Sequence, residues 1–176
     1  MSTGPFPEQV DHRKLAVENS KLEGSMPLAT FGRLVEGLES DAADVRISLE
    51  FRKARKQKVK IVGTCEADVL MVCQNCLSSL EFHLRAEIRQ WIVESEVALT
   101  KLPEDEDGIV CLDEKIRLVD IVEDELILSL PMVARHDEGA CELVAHHQND
   151  DSPAEPATHK PFAGLAELKD KLIRNS

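Results

Sequence analysis

The sequence predicts an α+β domain in which an antiparallel β meander curls into a partial barrel. Three consecutive segments within residues 45–93 alternate apolar and polar side chains, a period typical of strands with one buried face. Short connections join these segments, so neighbouring strands should run antiparallel. Apolar residues at helical spacing also predict an N-terminal helix, a helix near residues 118–130 and a short C-terminal helix.

The N-terminal part supplies the first of these helices. Residues 1–20 carry little pattern and are expected to form a flexible N-terminus. Residues 27–38 then place apolar side chains on one stripe, and Pro27 suits a first helical turn. The stripe consists of Leu28, Phe31, Leu34, Val35 and Leu38. Gly32 and Gly37 weaken this helix prediction, because glycine disfavours helix interiors.

The three strands of the meander follow. Residues 45–52 form the first strand and residues 59–73 the second. The second strand is unusually long, so Gly63 is expected to mark a bend or a bulge. The third strand covers residues 80–93, and its alternation shifts parity towards its end. This shift predicts a bulge near residues 89–90.

A short strand is predicted at residues 109–112, inside an acidic loop, and a helix at residues 118–130. Pro131 ends this helix, since proline cannot continue it. Its apolar stripe comprises Leu118, Val119, Val122, Leu126 and Leu130. The acidic residues Asp120, Glu123 and Asp124 are expected to form a solvated face rather than an active site.

The domain organisation follows from composition. Residues 21–145 are expected to form a single α+β domain. Residues 146–160 are polar and contain proline, which predicts a disordered linker. Residues 161–174 are expected to form a C-terminal helix that docks on the domain through Phe162, Leu165, Leu168 and Leu172.

Amino-acid composition and net charge exclude several classes of protein. The chain has 176 residues, few aromatic residues and no tyrosine, so the core must be mainly aliphatic. Its net charge of −12 argues against broad, non-specific nucleic-acid binding. Five widely spaced cysteines fit a reducing compartment better than a disulfide framework. With neither a signal peptide nor an apolar membrane-spanning run visible, the sequence indicates a cytoplasmic protein.

A basic segment connects the first two strands of the meander. Its cationic residues are Arg52, Lys53, Arg55, Lys56, Lys58 and Lys60. Removing these six positive charges leaves about −18 for the rest of the chain. A cationic tip on an acidic body can orient a protein towards nucleic-acid phosphate. The simpler interpretation, a solvated hairpin turn with charged strand ends, remains open.

The turn between the second and third strands contains Cys73 and Cys76. Two thiols at this spacing can bind one tetrahedral zinc ion, and His136 and Cys141 are the best candidates for the other two ligands. Alternative ligands are His83, His146 and His147. Two other interpretations remain, a pair of free thiols and a redox pair. The redox interpretation fits poorly, because such pairs need a helix N-terminus.

The remaining residues indicate no catalytic chemistry. Cys65 and Cys111 fall on predicted apolar strand faces and are interpreted as small core residues. A glycine-rich phosphate loop, a nucleophile elbow and a zinc-protease helix motif are all missing from the sequence. The sequence therefore predicts a protein that is not an enzyme.

The order of these motifs resembles the bacterial YceD family, also called the large ribosomal RNA subunit accumulation protein family. The resemblance rests on "MVCQNCLSSLEFHL", "VDIVEDELILSLPMVARHDEGAC" and "KPFAGLAELK". Many members of that family carry a cysteine-rich second half that looks like a full zinc site. In this chain that half is reduced to His136 and Cys141.

The resemblance implies a ribosome-biogenesis role in the accumulation or processing of large-subunit (23S) ribosomal RNA. The implied partner is precursor ribosomal RNA or a ribosomal protein, with neither a membrane nor a small-molecule substrate. An alternative is an acidic adaptor or chaperone that holds a basic ribosomal protein without touching RNA.

Overall fold

The structure, a computed structural model, describes residues 4–54, 58–137 and 139–141 of the chain. Within these ranges the backbone forms eight strands, four short α-helices and one 3-10 helix. In chain order they are β1 (Gly4–Pro5), β2 (Gln9–Asp11), α1 (His12–Glu18), β3 (Lys21–Pro27), the 3-10 helix (Leu28–Thr30), α2 (Gly32–Val35), β4 (Asp44–Lys53), β5 (Val59–Val72), β6 (Ser79–Val93), α3 (Glu96–Leu99), β7 (Asp107–Val110), β8 (Lys115–Arg117) and α4 (Leu118–Leu128). The fold class is therefore α+β with mostly strands.

Six strands form one open sheet in the order β1-β3-β4-β5-β6-β7. The consecutive strands β3 to β6 are antiparallel, so the predicted meander is present and is extended by β3 in front of it. The edge strands β1 and β7 pair parallel with β3 and β6. Because these edges do not pair with each other in the described ranges, the sheet is not a closed barrel. Strands β2 and β8 form a separate antiparallel pair.

The hydrophobic core lies on one face of the meander. The alternation in β4 buries every second side chain, as the period of two requires. These side chains are Val45, Ile47, Leu49 and Phe51. Helix α4 packs against β5 and β6, and helix α1 packs against β4 and β5. The opposite face of the sheet is polar and accessible to solvent, and it carries the charged side chains of the strands.

The long strands contain no bulge, neither at Gly63 nor near residues 89–90, so the bulge predicted there in β6 is wrong. Pairing between β5 and β6 is continuous from Val59 opposite Ile92 to Val72 opposite Ser79. Gly63 lies in this regular pairing and marks a close approach rather than a bulge. A Cβ atom built on Gly63 would overlap the backbone carbonyl oxygen of Ser48 and lie 2.8 Å from the Leu49 side chain.

Replacing Gly63 with alanine is therefore expected to destabilise the protein. The added methyl group meets backbone of β4, which cannot move without disturbing the ladder, so we expect a loss of about 1–3 kcal/mol in the free energy of unfolding. Gly32→Ala is the matched control, because nothing lies within 4 Å of a Cβ atom at Gly32. Urea denaturation of both variants measures the difference. Equal stability of Gly63→Ala and wild type would show that β4 does not constrain this position.

Trp91 explains why the end of β6 looks irregular in sequence. Its side chain lies on the polar face, where the Lys60 ammonium sits 4.9 Å from the ring centroid. The indole N–H donates to the Glu106 carboxylate, so the polar end of the ring is satisfied. The core-facing alternation continues through Ile92, which is buried. Because the apolar Trp91 lies on the outer face, the alternation in the sequence shifts at this point although the strand itself stays regular.

The helix predicted over residues 27–38 is broken into two short pieces. The 3-10 helix and α2 are separated by Phe31, whose φ and ψ of −98° and 77° are not helical. Pro27 ends β3 instead of opening a helix. The side chains of Leu28, Phe31 and Leu34 are nevertheless fully buried. The apolar stripe therefore predicts the buried residues correctly, but the prediction of one continuous helix is wrong.

The N-terminal residues are more structured than predicted. Residues 4–20 contribute β1, β2 and α1, and Phe6, His12 and Ala16 are buried. Strand β2 pairs with β8, which lies about a hundred residues later, and the Asp11 side chain caps α1 by accepting from the Lys14 amide at 2.9 Å. Such short elements carry almost no periodic signal, because distant partners stabilise them.

Helix α4 confirms the helix predicted from residue 118, but Glu123 is not on a solvated face. Its side chain is 6% exposed and accepts hydrogen bonds from the Arg33 amide at 2.8 Å and from Arg33 Nε at 2.9 Å. The bond from the Arg33 amide provides a partner for one of the first backbone amides of α2, which have no hydrogen-bond partner within the helix. Asp120 and Asp124 are exposed, as predicted. The buried carboxylate is therefore a structural cap.

The predicted linker at residues 146–160 and the C-terminal helix at residues 161–174 lie outside the described residues. The boundaries of the domain therefore stay a prediction. Among the described helices, none has both the length and the apolar character needed to span a membrane.

Candidate metal centre and cationic hairpin

The turn between β5 and β6 positions two thiols at one end of the sheet. The Cys73 amide donates to the Ser78 carbonyl at 2.9 Å, and the Leu77 amide donates to the Cys73 carbonyl at 2.9 Å. Leu77 adopts φ of 60°, a left-handed conformation that closes the turn just after Cys76. Both cysteines are buried, at 0% and 7% exposure. The turn therefore presents its sulfur atoms inward rather than to solvent.

The segment after α4 brings a histidine to the same place. The Gln74 amide donates to the Ala134 carbonyl at 2.8 Å, which ties this segment to the cysteine turn. His136 follows two residues later, and its Nε2 lies 3.1 Å from the Ser79 carbonyl oxygen. A carbonyl oxygen only accepts, so Nε2 carries the proton and the lone pair of Nδ1 faces the thiols. Such orientation by an outer hydrogen bond is typical of metal-binding histidines.

Cys73, Cys76, His136 and Cys141 form a four-residue cluster whose ligand atoms all lie within 4.8 Å of one another. Measured edges of the cluster are 3.5 Å between the sulfurs of Cys73 and Cys141 and 3.4 Å between Cys76 Sγ and His136 Nδ1. Tetrahedral zinc with its usual bond lengths requires about 3.8 Å between sulfurs and about 3.6 Å between sulfur and nitrogen. The donor set and its spacing therefore fit one tetrahedral ion.

The electrostatics of the turn favour thiolates. Hydrogen bonds from backbone amides, that of Cys76 foremost, lower the pKa of the Cys73 thiol to about 5. The hydroxyl of Ser78, 3.0 Å from Cys76 Sγ, lowers the pKa of the Cys76 thiol. Because only a deprotonated thiol ligates a metal, at least one ligand is already in its binding form at neutral pH.

Of the alternative ligands, His83 lies within the described residues and is separate from the cluster. His83 lies on the polar face of β6, where its Nδ1 is 2.6 Å from Asp68. His146 and His147 lie outside the described residues. Cys65 is a fully buried core residue whose desolvation raises the pKa of its thiol to about 12, which makes it inert. Cys111 is half-buried, and its thiol donates to the Asp113 carbonyl at 3.5 Å.

The hairpin between β4 and β5 places the basic segment at one end of the sheet. The Ala54 amide donates to the Lys58 carbonyl at 2.9 Å and closes the turn. Arg55 and Lys56, at the centre of the segment, lie outside the described residues. Strands β4 and β5 thus flank the basic segment, with Arg52 and Lys53 in β4 and Lys60 in β5.

Two of the predicted phosphate-contacting residues already have carboxylate partners. Arg52 donates to Glu50 at 2.8 Å, and Lys60 donates to Glu106 at 2.7 Å. Lys60 also contacts Trp91, so it belongs to a local cluster rather than to a free surface. These two residues are therefore poor candidates for contacts with a partner.

Lys53 and Lys58 differ from Arg52 and Lys60, because neither has an ion-pair partner within 4.0 Å in the part of the chain that the structure describes. Two residues that sequence analysis missed lie nearby. Lys101 lines a cleft together with Lys58. Arg13 lines another together with Lys53, but it already donates to Glu94 at 3.0 Å. They come from segments far along the chain, so no local pattern indicates them. Of these two residues, only Lys101 extends the cationic surface beyond the hairpin.

The polar face of the meander is largely self-neutralised. Arg46 pairs with Glu66 at 3.0 Å, and Arg89 pairs with Glu87 at 2.8 Å. A charge that pairs with an opposite charge beside it produces little net electrostatic potential at a distant phosphate group. Among the described residues, Lys53 and Lys58 at the hairpin end have no ion-pair partner, and neither has Arg85 on the polar face.

Comparison with known proteins gives a consistent result. The family model described as large ribosomal RNA subunit accumulation protein YceD matches residues 61–169. A curated protein of that description from Haemophilus influenzae (strain Rd) is 32% identical over 169 residues, which cover 94% of this chain and 97% of the relative. No solved structure matches the chain significantly.

Proposed function

The chain belongs to the YceD family of large ribosomal RNA subunit accumulation proteins, and on this premise we propose that it is a ribosome-biogenesis factor. It supports the accumulation of large-subunit (23S) ribosomal RNA in the cytoplasm. The observation that carries this proposal is the similarity to this relative, which extends over nearly the whole chain.

The proposed contact with ribosomal RNA is the hairpin end of the sheet. Lys53 and Lys58 project there without carboxylate partners in the described ranges, and the sequence adds Arg55 and Lys56 between them. Phosphate contacts need such cations, because neutralising phosphates releases condensed counterions. The paired cations on the polar face of the sheet lack this property, which favours the hairpin over the face.

The acidic remainder of the protein restricts this contact. Outside the basic segment the chain carries a net charge of about −18, by subtracting +6 from −12. A net charge of this sign disfavours contact between nucleic acid and the rest of the protein, so the basic segment is the favoured contact. The protein should therefore dock in one orientation rather than coat RNA, as expected for an assembly factor.

The proposed role of the four-residue cluster is to hold a structural zinc ion. Cys73, Cys76, His136 and Cys141 complete a closed set of four ligands, which leaves no position for a reacting water. Zinc held there would join the β5–β6 turn to the segment that follows α4. The ion would therefore stabilise the end of the sheet opposite to the cationic hairpin.

The proposed function involves no catalysis. The one buried carboxylate among the described side chains, Glu123, is saturated by Arg33 and by two backbone amides. A general base needs a free, accessible position near a reacting atom, which such a cap does not offer. The family name likewise describes accumulation of RNA rather than a reaction.

Depleting the protein from its host tests the proposed function. We expect the amount of 23S ribosomal RNA to fall relative to 16S ribosomal RNA, with recovery when wild-type protein is supplied from a plasmid. Quantitative RNA analysis across a sucrose gradient measures the ratio. An unchanged ratio of the two RNAs after complete depletion would contradict the proposal.

A further inference from the structure

A groove of about 510 Å³ lies between helix α4 and the edge strand β7. Its floor is apolar and is formed by Ile109 from β7 and by Ile121 and Ile127 from α4. Leu128 lines one end of the groove and is 78% exposed. An exposed aliphatic residue next to an aliphatic floor marks a surface on which a partner can bury apolar atoms.

The charged groups in the groove are mostly carboxylates. Asp107, Asp124 and Glu125 line it, together with the single cation Arg33. Arg33 is engaged by Glu123 at 2.7 Å and by Asp124 at 2.8 Å. Asp107 and Glu125 are left without a cationic partner within the described ranges, since Glu125 accepts only from the neutral Gln90 amide at 2.7 Å. The groove is therefore electronegative.

The strand that forms one wall of the groove is a free edge. β7 pairs with β6 on one side and is the last strand of the sheet in the described part of the chain. An edge strand offers backbone N–H and C=O groups to an extended polypeptide, which can add to the sheet as a further strand. The groove therefore combines a strand edge available for backbone pairing, an aliphatic floor and carboxylates.

We propose that this groove binds an extended basic polypeptide segment of a protein partner. The chemistry of lysine and arginine fits it, because their aliphatic stems can cover Ile109 and Ile127 while their charged ends reach Asp107 and Glu125. Backbone pairing with β7 fixes the direction of the segment. The groove shares no residue with the cationic hairpin, so one protein holds a site for phosphate and a separate site for a basic peptide.

Binding of a synthetic peptide to the full-length protein tests this inference. The probe is a short fluorescent peptide of alternating lysine and valine, compared with the same peptide carrying glutamate in place of lysine. We expect the lysine peptide to bind the wild-type protein in fluorescence anisotropy at physiological salt. The double variant Asp107→Lys with Glu125→Gln should weaken this binding at least about tenfold.

A matched control separates the groove from general charge attraction. The double variant Asp41→Lys with Glu81→Gln changes two exposed acidic residues outside the groove and gives the same net charge, −12 + 3 = −9. It should keep the wild-type affinity within about twofold. Equal weakening in both variants, equal binding of the glutamate peptide, or failure of the wild-type protein to bind the lysine peptide would each overturn the inference. None of these results bears on 23S accumulation after depletion.

Discussion

Replacing Cys73 with serine is expected to abolish zinc binding and to lower the stability of the protein by several kcal/mol. Zinc purified with the wild-type protein should amount to one ion per chain, because the four ligand atoms form a single cluster. Structural zinc contributes on the order of 10 kcal/mol of binding energy in small zinc domains, and part of that energy is coupled to folding. Mass spectrometry under native conditions and thermal denaturation measure the two effects.

Cys111→Ser is the matched control for this prediction. Cys111 lies outside the cluster, and a serine hydroxyl can keep the hydrogen bond to Asp113. The control should retain one zinc ion and the wild-type melting temperature. Protein isolated anaerobically and without chelators but lacking zinc, or zinc that persists in Cys73→Ser, would reduce Cys73 and Cys76 to buried thiols of a tight turn.

The zinc prediction also has a pH dependence. Metal binding requires deprotonated ligands, so protons compete with zinc as the pH falls. Backbone amides hold the pKa of Cys73 at about 5, whereas hydrogen bonding to Cys73 raises the pKa of His136. We therefore expect zinc to remain bound at neutral pH and to be released under acidic conditions.

Reversing the charges of Arg55, Lys56 and Lys58 to glutamate should release the protein from precursor particles of the large subunit. These residues form the centre of the cationic hairpin, and Lys58 has no ion-pair partner among the described residues. Each lost phosphate contact reduces the salt dependence of binding by about one unit in the log–log slope, so the triple variant should lose about three. Co-sedimentation over a range of salt concentrations measures this change.

The control for the triple variant has the same net charge. Reversing Arg46, Arg85 and Lys115 to glutamate also gives −12 − 6 = −18 and alters exposed residues away from the hairpin turn. Arg46 lies eight residues before Ala54, or about 26 Å along an extended strand. This control should remain associated with the particles. If both triple variants dissociate alike, net charge rather than the hairpin controls the association.

The strands and the members of the four-residue cluster could be predicted from the sequence for a simple physical reason. A strand with one buried face alternates with a period of two, and β4 shows this alternation without interruption. Cys73 and Cys76 are close in the chain, so their convergence needs only a turn. His136 and Cys141 are the nearest suitable ligands after α4, and the Ala134 carbonyl bound by the Gln74 amide explains why they reach the turn.

The elements that sequence analysis missed depend on distant partners. Strand β3 contains an alternating pair, Leu22 and Met26, but Gly24 between them and Pro27 at its end conceal the pattern. Strand β2 has three residues and exists because β8 pairs with it. A nearly isolated strand of this length has no stability of its own, so no local signal predicts it.

Predictions of side-chain exposure are wrong where a residue contacts a partner that is distant in the sequence. The parity shift that predicted a bulge near residues 89–90 comes from Trp91, which lies on the polar face in contact with Lys60 and Glu106. Glu123 looked like a solvated helix residue but is buried, because Arg33 and the first amides of α2 bind it. Its spacing of four from the buried Val119 and of three from the buried Leu126 is a signal that places it beside the core.

Ultraviolet crosslinking in living cells, followed by identification of the crosslinked peptide and of the attached RNA, tests the central claim most directly. If the hairpin docks the protein on the large subunit, the crosslinked peptides should fall within residues 52–60 and their RNA should map to 23S ribosomal RNA. Crosslinks confined to the polar face of the sheet, or RNA from an unrelated class, would contradict the account.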